Sequence, residues 1–314
     1  MRALLSGGVF VAAISALVAV PAGAAPGDDI YLRPGQLVET DGARLNLYCT
    51  GSGSPAVILD AGHQDWSPAW AVVQPEVAKW TRACSFDRPG YGFSPAGPLP
   101  RTSVRIATEL RDALHSLGIS GPYVLVGHAF GATNARTFAF LYPEETRGLV
   151  LIDPDAETTD EQLARAHTVF IEQATQIQRC GDALSAHQPQ PAELNCDKRF
   201  FRGFPEPGWS PALNDALAAA VHTRPDLSEA ANAELTQIPE DELWLVQHRV
   251  SLGSRPVRVI TAAQHRPDVI ASQAALLSVS SDAKQIMAAH SRNAYVQFDE
   301  PQLVLDAIRK AAGR

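Results

Sequence analysis

The sequence predicts an α/β fold, a mostly parallel central sheet with helices on both faces and a helical cap insertion. Three observations predict it. Short apolar runs of the buried parallel-strand kind alternate with helical patterns along most of the chain. Between Pro154 and Arg255 the alternation stops, and helical patterns and proline-rich loops follow one another with no clear strand. An insertion that long between two sheet strands, about 155–255, is most simply a helical cap over the C-terminal edge of the sheet. Finally, at Tyr123–Gly131 an apolar strand runs straight into a glycine-flanked turn and then a helix.

The composition is consistent with that class. The 314 residues are 46% hydrophobic and 19% charged, which excludes a disordered chain, a collagen-like repeat and a multi-span membrane protein. The formal net charge of −8 leaves no basic footprint for nucleic acid. No phosphate-cradling loop, dinucleotide fingerprint or Cys/His metal spacing is present, so no cofactor and no metal are expected.

Each element has its own signal. Residues 1–24 hold Arg2, an apolar stretch from Val9 to Val20, and then Pro21 and small residues to Ala25. This pattern is that of a secretory signal peptide, with residues 25–314 as the mature domain, secreted or periplasmic and without a membrane span. Ala43–Cys49 alternates apolar and polar residues, as an edge strand does. Ala56–Asp60 and Ala83–Asp87 are short apolar strands. Thr102 or Ser103 caps a helix to about Leu117, with Gly118 past its end. Tyr123–Val126 is a strand, Ala132–Tyr142 a helix stopped by Pro143, and Leu149–Asp153 a strand. Val257–Thr261 and Lys284–Ala288 complete the strands. Asp299 caps a last helix, with Pro301 in its first turn.

Tyr123–Gly131 reads Tyr-Val-Leu-Val-Gly-His-Ala-Phe-Gly, a strand leading into Gly-x-Ala-x-Gly. This resembles the nucleophile elbow of the α/β-hydrolase family, Gly-x-Ser-x-Gly. Gly127 and Gly131 let the chain turn sharply, and the residue between them is normally the attacking serine. Here it is Ala129, whose methyl group cannot attack a carbonyl. Other marks follow in order. Leu59-Asp60-Ala61-Gly62-His63 is similar to the loop that supplies one oxyanion-hole N–H, here that of His63. The second donor is implied to be the N–H of Phe130. Asp87-Arg88-Pro89-Gly90-Tyr91-Gly92 is similar to the Asp-x-x-Gly-x-Gly turn after strand four. Asp153 matches a position where some members carry the triad acid, and Asp268 lies at the more usual one, after strand seven.

The triad histidine is implied to fall in the loop after the last strand. Aligning Tyr295-Val296-Gln297-Phe298-Asp299-Glu300-Pro301 with the family pattern Tyr-x-Gln-x-Asp-x-Pro puts Ala294 there. His290, four residues earlier, could substitute only through a rebuilt loop. With nucleophile and base positions both alanine, little or no hydrolysis is expected. Losing either partner of such a unit costs on the order of 10⁶ in turnover. Natural loss, giving a pseudoenzyme, and deliberate alanine replacement both produce this pattern. The resemblance implies a secreted serine ester or acyl hydrolase lineage. The alternatives are a non-enzymatic protein binding a small apolar or ester-bearing ligand in the capped pocket, or a weak hydrolase using His290. His128 should point away from the nucleophile direction, and Trp66, Trp70 and Trp80 read as packing; Trp244 is left undecided.

Four cysteines in an exported chain suggest two disulfides out of three pairings. In the family, the second strand runs antiparallel beside the fourth, which implies Cys49–Cys84. Cys180 and Cys196 remain together in the cap.

Overall fold

The computed structural model describes residues 29–155, 160–196, 206, 208–291 and 295–314. The segment read as a signal peptide, 1–24, lies outside the described residues. Strands β1 (Gln36–Glu39), β2 (Arg44–Thr50), β3 (Val57–Asp60), β4 (Ala83–Asp87), β5 (Tyr123–His128), β6 (Thr146–Ile152), β7 (Val257–Ala262) and β8 (Ala283–Ala288) form one sheet. Their order is β1-β2-β4-β3-β5-β6-β7-β8. The β1–β2 and β2–β4 pairs are antiparallel and the other five are parallel. The sheet is therefore mostly parallel, as expected.

Strand side chains alternate between two apolar cores, because successive residues of a strand point to opposite faces. Val57, Leu59, Val124, Val126, Val150 and Ile152 enter one core. Ile58, Leu125, Leu149 and Leu151 enter the other. The first face is covered by the C-terminal helix α10 (Pro301–Ala312) through Val304 and Ile308, and by Trp66 and Trp70. The second is covered by α2 (Ser103–Ser116) and α3 (Phe130–Leu141) through Leu110, Leu114 and Phe138. Burial on both faces explains the uninterrupted apolar runs of the central strands. The tryptophans Trp66 and Trp70 are core residues, 4% and 0% exposed. The short α1 (Gln74–Ala78) precedes β4.

Between β6 and β7 lie α4 (Asp160–Ser185), α5 (Pro211–Thr223), α6 (Pro225–Leu235) and α7 (Ile238–Gln247). Proline opens α5 and α6 and stands at the second position of α7, where its missing N–H costs nothing. After β7 come α8 (Pro267–Ala275) and then, past β8, α9 (Val296–Asp299). Thr102 caps α2 by accepting the Arg105 N–H, as its position suggested.

Two details differ from expectation. The strand read as an edge is internal: β2 lies between β1 and β4. Its polar position Asn46 is fully buried and donates Nδ2–H to Asp87 Oδ2 at 2.8 Å, so the alternation reflects polar pairing and not solvent. The true edge strand β1 has a single buried residue, Val38, and gave no clear pattern. Asp299 does not cap the last helix. It closes α9 and accepts the Ser291 hydroxyl at 3.2 Å, while Glu300 precedes Pro301. Glu300 in turn accepts the N–H groups of His290 and Ser291, at 2.7 and 2.9 Å.

Both cysteine pairs are disulfides. Cys49–Cys84 joins β2 to β4 at register partners, and Cys180–Cys196 ties α4 to the segment after it. The second closes a loop with a sequence separation of 16. Chain entropy alone gives such a link about 3 kcal/mol. Cys180→Ala with Cys196→Ala should lower unfolding free energy by about that amount, read by urea denaturation, while leaving the sheet's circular dichroism unchanged.

Candidate active site

The site is assembled at the C-terminal edge of the parallel strands, where three loops meet. The first joins β5 to α3 through Ala129. Its backbone lies at φ 46° and ψ −118°, a conformation that costs a residue with a Cβ on the order of 1–3 kcal/mol. The two flanking glycines make the turn possible. A Cβ at Gly127 would enter the backbone of Gly131, and one at Gly131 would enter the Asp60 carbonyl. Ala129 is held on both sides: its N–H donates to Ile152 O at 2.9 Å and its carbonyl accepts the Ala132 N–H at 2.8 Å. Phe130 is fully buried and opens α3, so its N–H belongs to the first turn, which has no intrahelical acceptor.

The second loop follows β3 and carries His63. It is built on one guanidinium. Arg88, 1% exposed, donates from Nη1 to Asp60 Oδ1 and to Ala61 O, both at 2.7 Å. From Nη2 it donates to Gly62 O at 2.8 Å and to Asp65 O at 3.3 Å. The same group pairs with Glu234 of α6, Nε to Oε1 at 2.6 Å, and Tyr91 donates its hydroxyl to Glu234 at 3.1 Å. Five donors in a planar fork suit this set of planar acceptors. Burial pushes Asp60 up to about 6, against the pull of Arg88 and of Asn134, which donates to Asp60 Oδ2 at 3.0 Å. The His63 ring is fastened to the same helix, with Nε2 2.7 Å from Ala231 O. Burial lowers its pKa, which favours the neutral ring, and Nε2–H then donates to that carbonyl. The loop is thus clamped to α6 twice, by Arg88–Glu234 and by His63–Ala231.

The third loop follows β6. Asp153 sits in the left-handed region at φ 45° and donates its N–H to Ile260 O of β7 at 2.7 Å. Its carboxylate is 4% exposed and takes His265 Nε2 at 2.6 and 2.8 Å on its two oxygens. Gln273 of α8 donates to Asp153 Oδ1 at 3.0 Å. The sequence reading missed His265. It lies three residues beyond β7, in the loop searched only for an acid, so a histidine there carried no signal.

The other site residues are placed as follows. Asp268 is exposed and pairs with Arg266 at 2.8 Å. Ala294 lies outside the described residues, but Tyr295 beside it donates to Asp65 Oδ1 at 3.2 Å and meets the His128 ring, centroids 4.9 Å apart. His128 is buried there, with Nδ1 3.9 Å from Asp65 Oδ2. His290 is exposed. Trp244 stacks on His248 within the helical insertion, centroids 4.4 Å apart. Among the described residues, no group of three or more His, Cys, Asp or Glu side chains is placed to hold a metal. None of the described helices is long and apolar enough to cross a membrane.

The helical insertion meets the sheet domain through buried carboxylates. Glu242 of α7 pairs with Arg136 of α3 at 2.6 Å, and Asp241 accepts the Ser103 N–H at the start of α2 at 2.9 Å. Asp241 is 3% exposed, and burial raises its pKa from 3.8 to about 7. A carboxyl raised on folding binds more protons in the native state, so its contribution falls as pH climbs from about 4 to about 7. Asp241→Asn, which keeps the acceptor for Ser103, should flatten that fall by up to about 1.4 kcal/mol per pH unit. Urea unfolding at pH 4.5 and 7.5 measures it.

Comparison with known proteins places this geometry. A family model described as the alpha/beta hydrolase fold matches residues 55–189. An AB hydrolase superfamily protein of Gibberella zeae is 24% identical over 188 residues, which cover 57% of this chain and 56% of that protein. The matches to three other curated relatives span 37%, 30% and 27% of their lengths. A thermophilic esterase from Thermogutta terrifontis superposes with a TM-score of 0.62 at 21% identity, covering 88% of this chain and 97% of the esterase. The epoxide hydrolase CorEH superposes with a TM-score of 0.67 at 18% identity, covering 88% and 96%. The chain has the α/β-hydrolase fold, and hydrolases are among its relatives.

Proposed function

We propose that this α/β-hydrolase-fold chain is the scaffold of a secreted serine ester or acyl hydrolase whose nucleophile position is alanine, so that it hydrolyses little or no ester. One observation carries the reading. Ala129 is held in a strained conformation between β5 and α3, at the position where that strain serves to present an attacking side chain. A methyl group gains nothing from being presented, so the strain is intelligible as the framework of a serine.

The surrounding donors support it. The N–H groups of His63 and Phe130 are the oxyanion donors in this reading, one on the clamped loop after β3 and the other at the N-terminus of α3. Asp153 is the acid, a buried carboxylate already holding a histidine. Asp268, exposed and engaged with Arg266, suits that role less well. Exposed His290 offers no support for a substitute base. Without a nucleophile, the capped site would still hold a small apolar or ester-bearing ligand. Two disulfides agree with export through the N-terminal segment. A side-by-side assay of the chain and a variant carrying Ala129→Ser and Ala294→His, on chromogenic esters, tests the proposal.

A further inference from the structure

We propose that His265, held on the Asp153 carboxylate, is the acid–base group of this site, serving the nucleophile position at 129. The inference rests on the hydrolase reading above and names its base, which the sequence pattern had sought at residue 294.

The geometry is that of an oriented imidazole. The short contact to both Asp153 oxygens engages Nε2, so Nδ1 is the ring nitrogen left to meet a ligand. Gln273 fixes the carboxylate from another direction. The Asp153 side chain is 4% exposed, whereas the His265 side chain is 32% exposed, so the imidazole reaches solvent and the carboxylate that holds it does not. Backbone hydrogen bonds tie the loop of Ala129 to that of Asp153, and the latter to β7. The Ala129 N–H bonds Ile152, the neighbour of Asp153, and the Asp153 N–H bonds Ile260 in the strand that leads to His265. The other two histidines at these loops are engaged differently: His63 with a backbone carbonyl, and His128 buried against Tyr295.

With serine at 129, His265 Nδ1 takes the hydroxyl proton as Oγ bonds the acyl carbon. The alcohol leaves with that proton, and water then cleaves the acyl-serine by the same proton route, giving acid plus alcohol. With a fluorophosphonate probe, the Oγ–P bond forms, the P–F bond breaks, and fluoride leaves as the proton passes to His265.

The test is fluorophosphonate labelling of five full-length proteins: the chain itself, Ala129→Ser, and Ala129→Ser combined with His265→Gln, with Ala294→His or with His290→Gln. The expected result is that Ala129→Ser labels without needing a histidine at 294, whereas the chain itself does not label. His265→Gln should slow it by about 10²–10⁴-fold, the usual contribution of a general base, and remove the ionisation from its pH profile. His290→Gln in the Ala129→Ser background should leave the rate unchanged. Labelling that requires Ala294→His, or that survives His265→Gln at full rate, would overturn the assignment of His265 while leaving the hydrolase reading intact. Absence of labelling in every folded variant, checked by circular dichroism, would end both.

Discussion

Arg88→Ala is expected to lower unfolding free energy by about 3–5 kcal/mol, the usual result of removing one partner from a buried ionic network. The reason lies in what the guanidinium leaves behind. Asp60 and Glu234 would be buried without their cation, and the carbonyls of Ala61 and Gly62 would lose the donors that shape the loop. Arg88→Lys should recover little of this. An ammonium is a single point of charge and cannot reproduce bonds that leave Nε, Nη1 and Nη2 in separate directions. Urea denaturation followed by tryptophan fluorescence measures the loss. A cost below about 1 kcal/mol for Arg88→Ala would mean that the network is solvated and that the loop and α6 are not joined through it.

Much of this was legible in the sequence, for identifiable reasons. The strands β3, β4 and β5 are buried on both faces, so their apolar runs stand out from any surface segment. The elbow was readable because Gly127 and Gly131 sit where a Cβ would collide with backbone, which leaves only glycine. The Cys49–Cys84 link followed from strand adjacency in the resembling family and is a register pair in the sheet.

What escaped was what depends on tertiary partners. The strand at Ala43–Cys49 read as an edge because nothing local reveals Asp87 across the neighbouring strand from Asn46. Glu234 is 146 residues away from Arg88, so the clamp on the loop after β3 has no local signature. His265 acquires meaning only through Asp153, 112 residues away. Asp299 has the chemistry of a cap, but Glu300 separates it from the first helical residue.

The second large effect concerns chemistry. Ala129→Ser, with or without Ala294→His, is expected to raise ester turnover by at least about 10³-fold over the chain itself, since loss of such a unit costs on the order of 10⁶. Serine needs no new backbone at 129, because the strained turn, the two glycines and the start of α3 are already in place. The measurement is initial rates on a panel of p-nitrophenyl esters of increasing acyl length, for both proteins at equal concentration. The expected result is saturable turnover with an acyl-enzyme burst in the restored variant and background rates in the chain itself. Equal rates in the two proteins, whether both fast or both at background, would contradict the assignment of Ala129 as the vacant nucleophile position of a hydrolase.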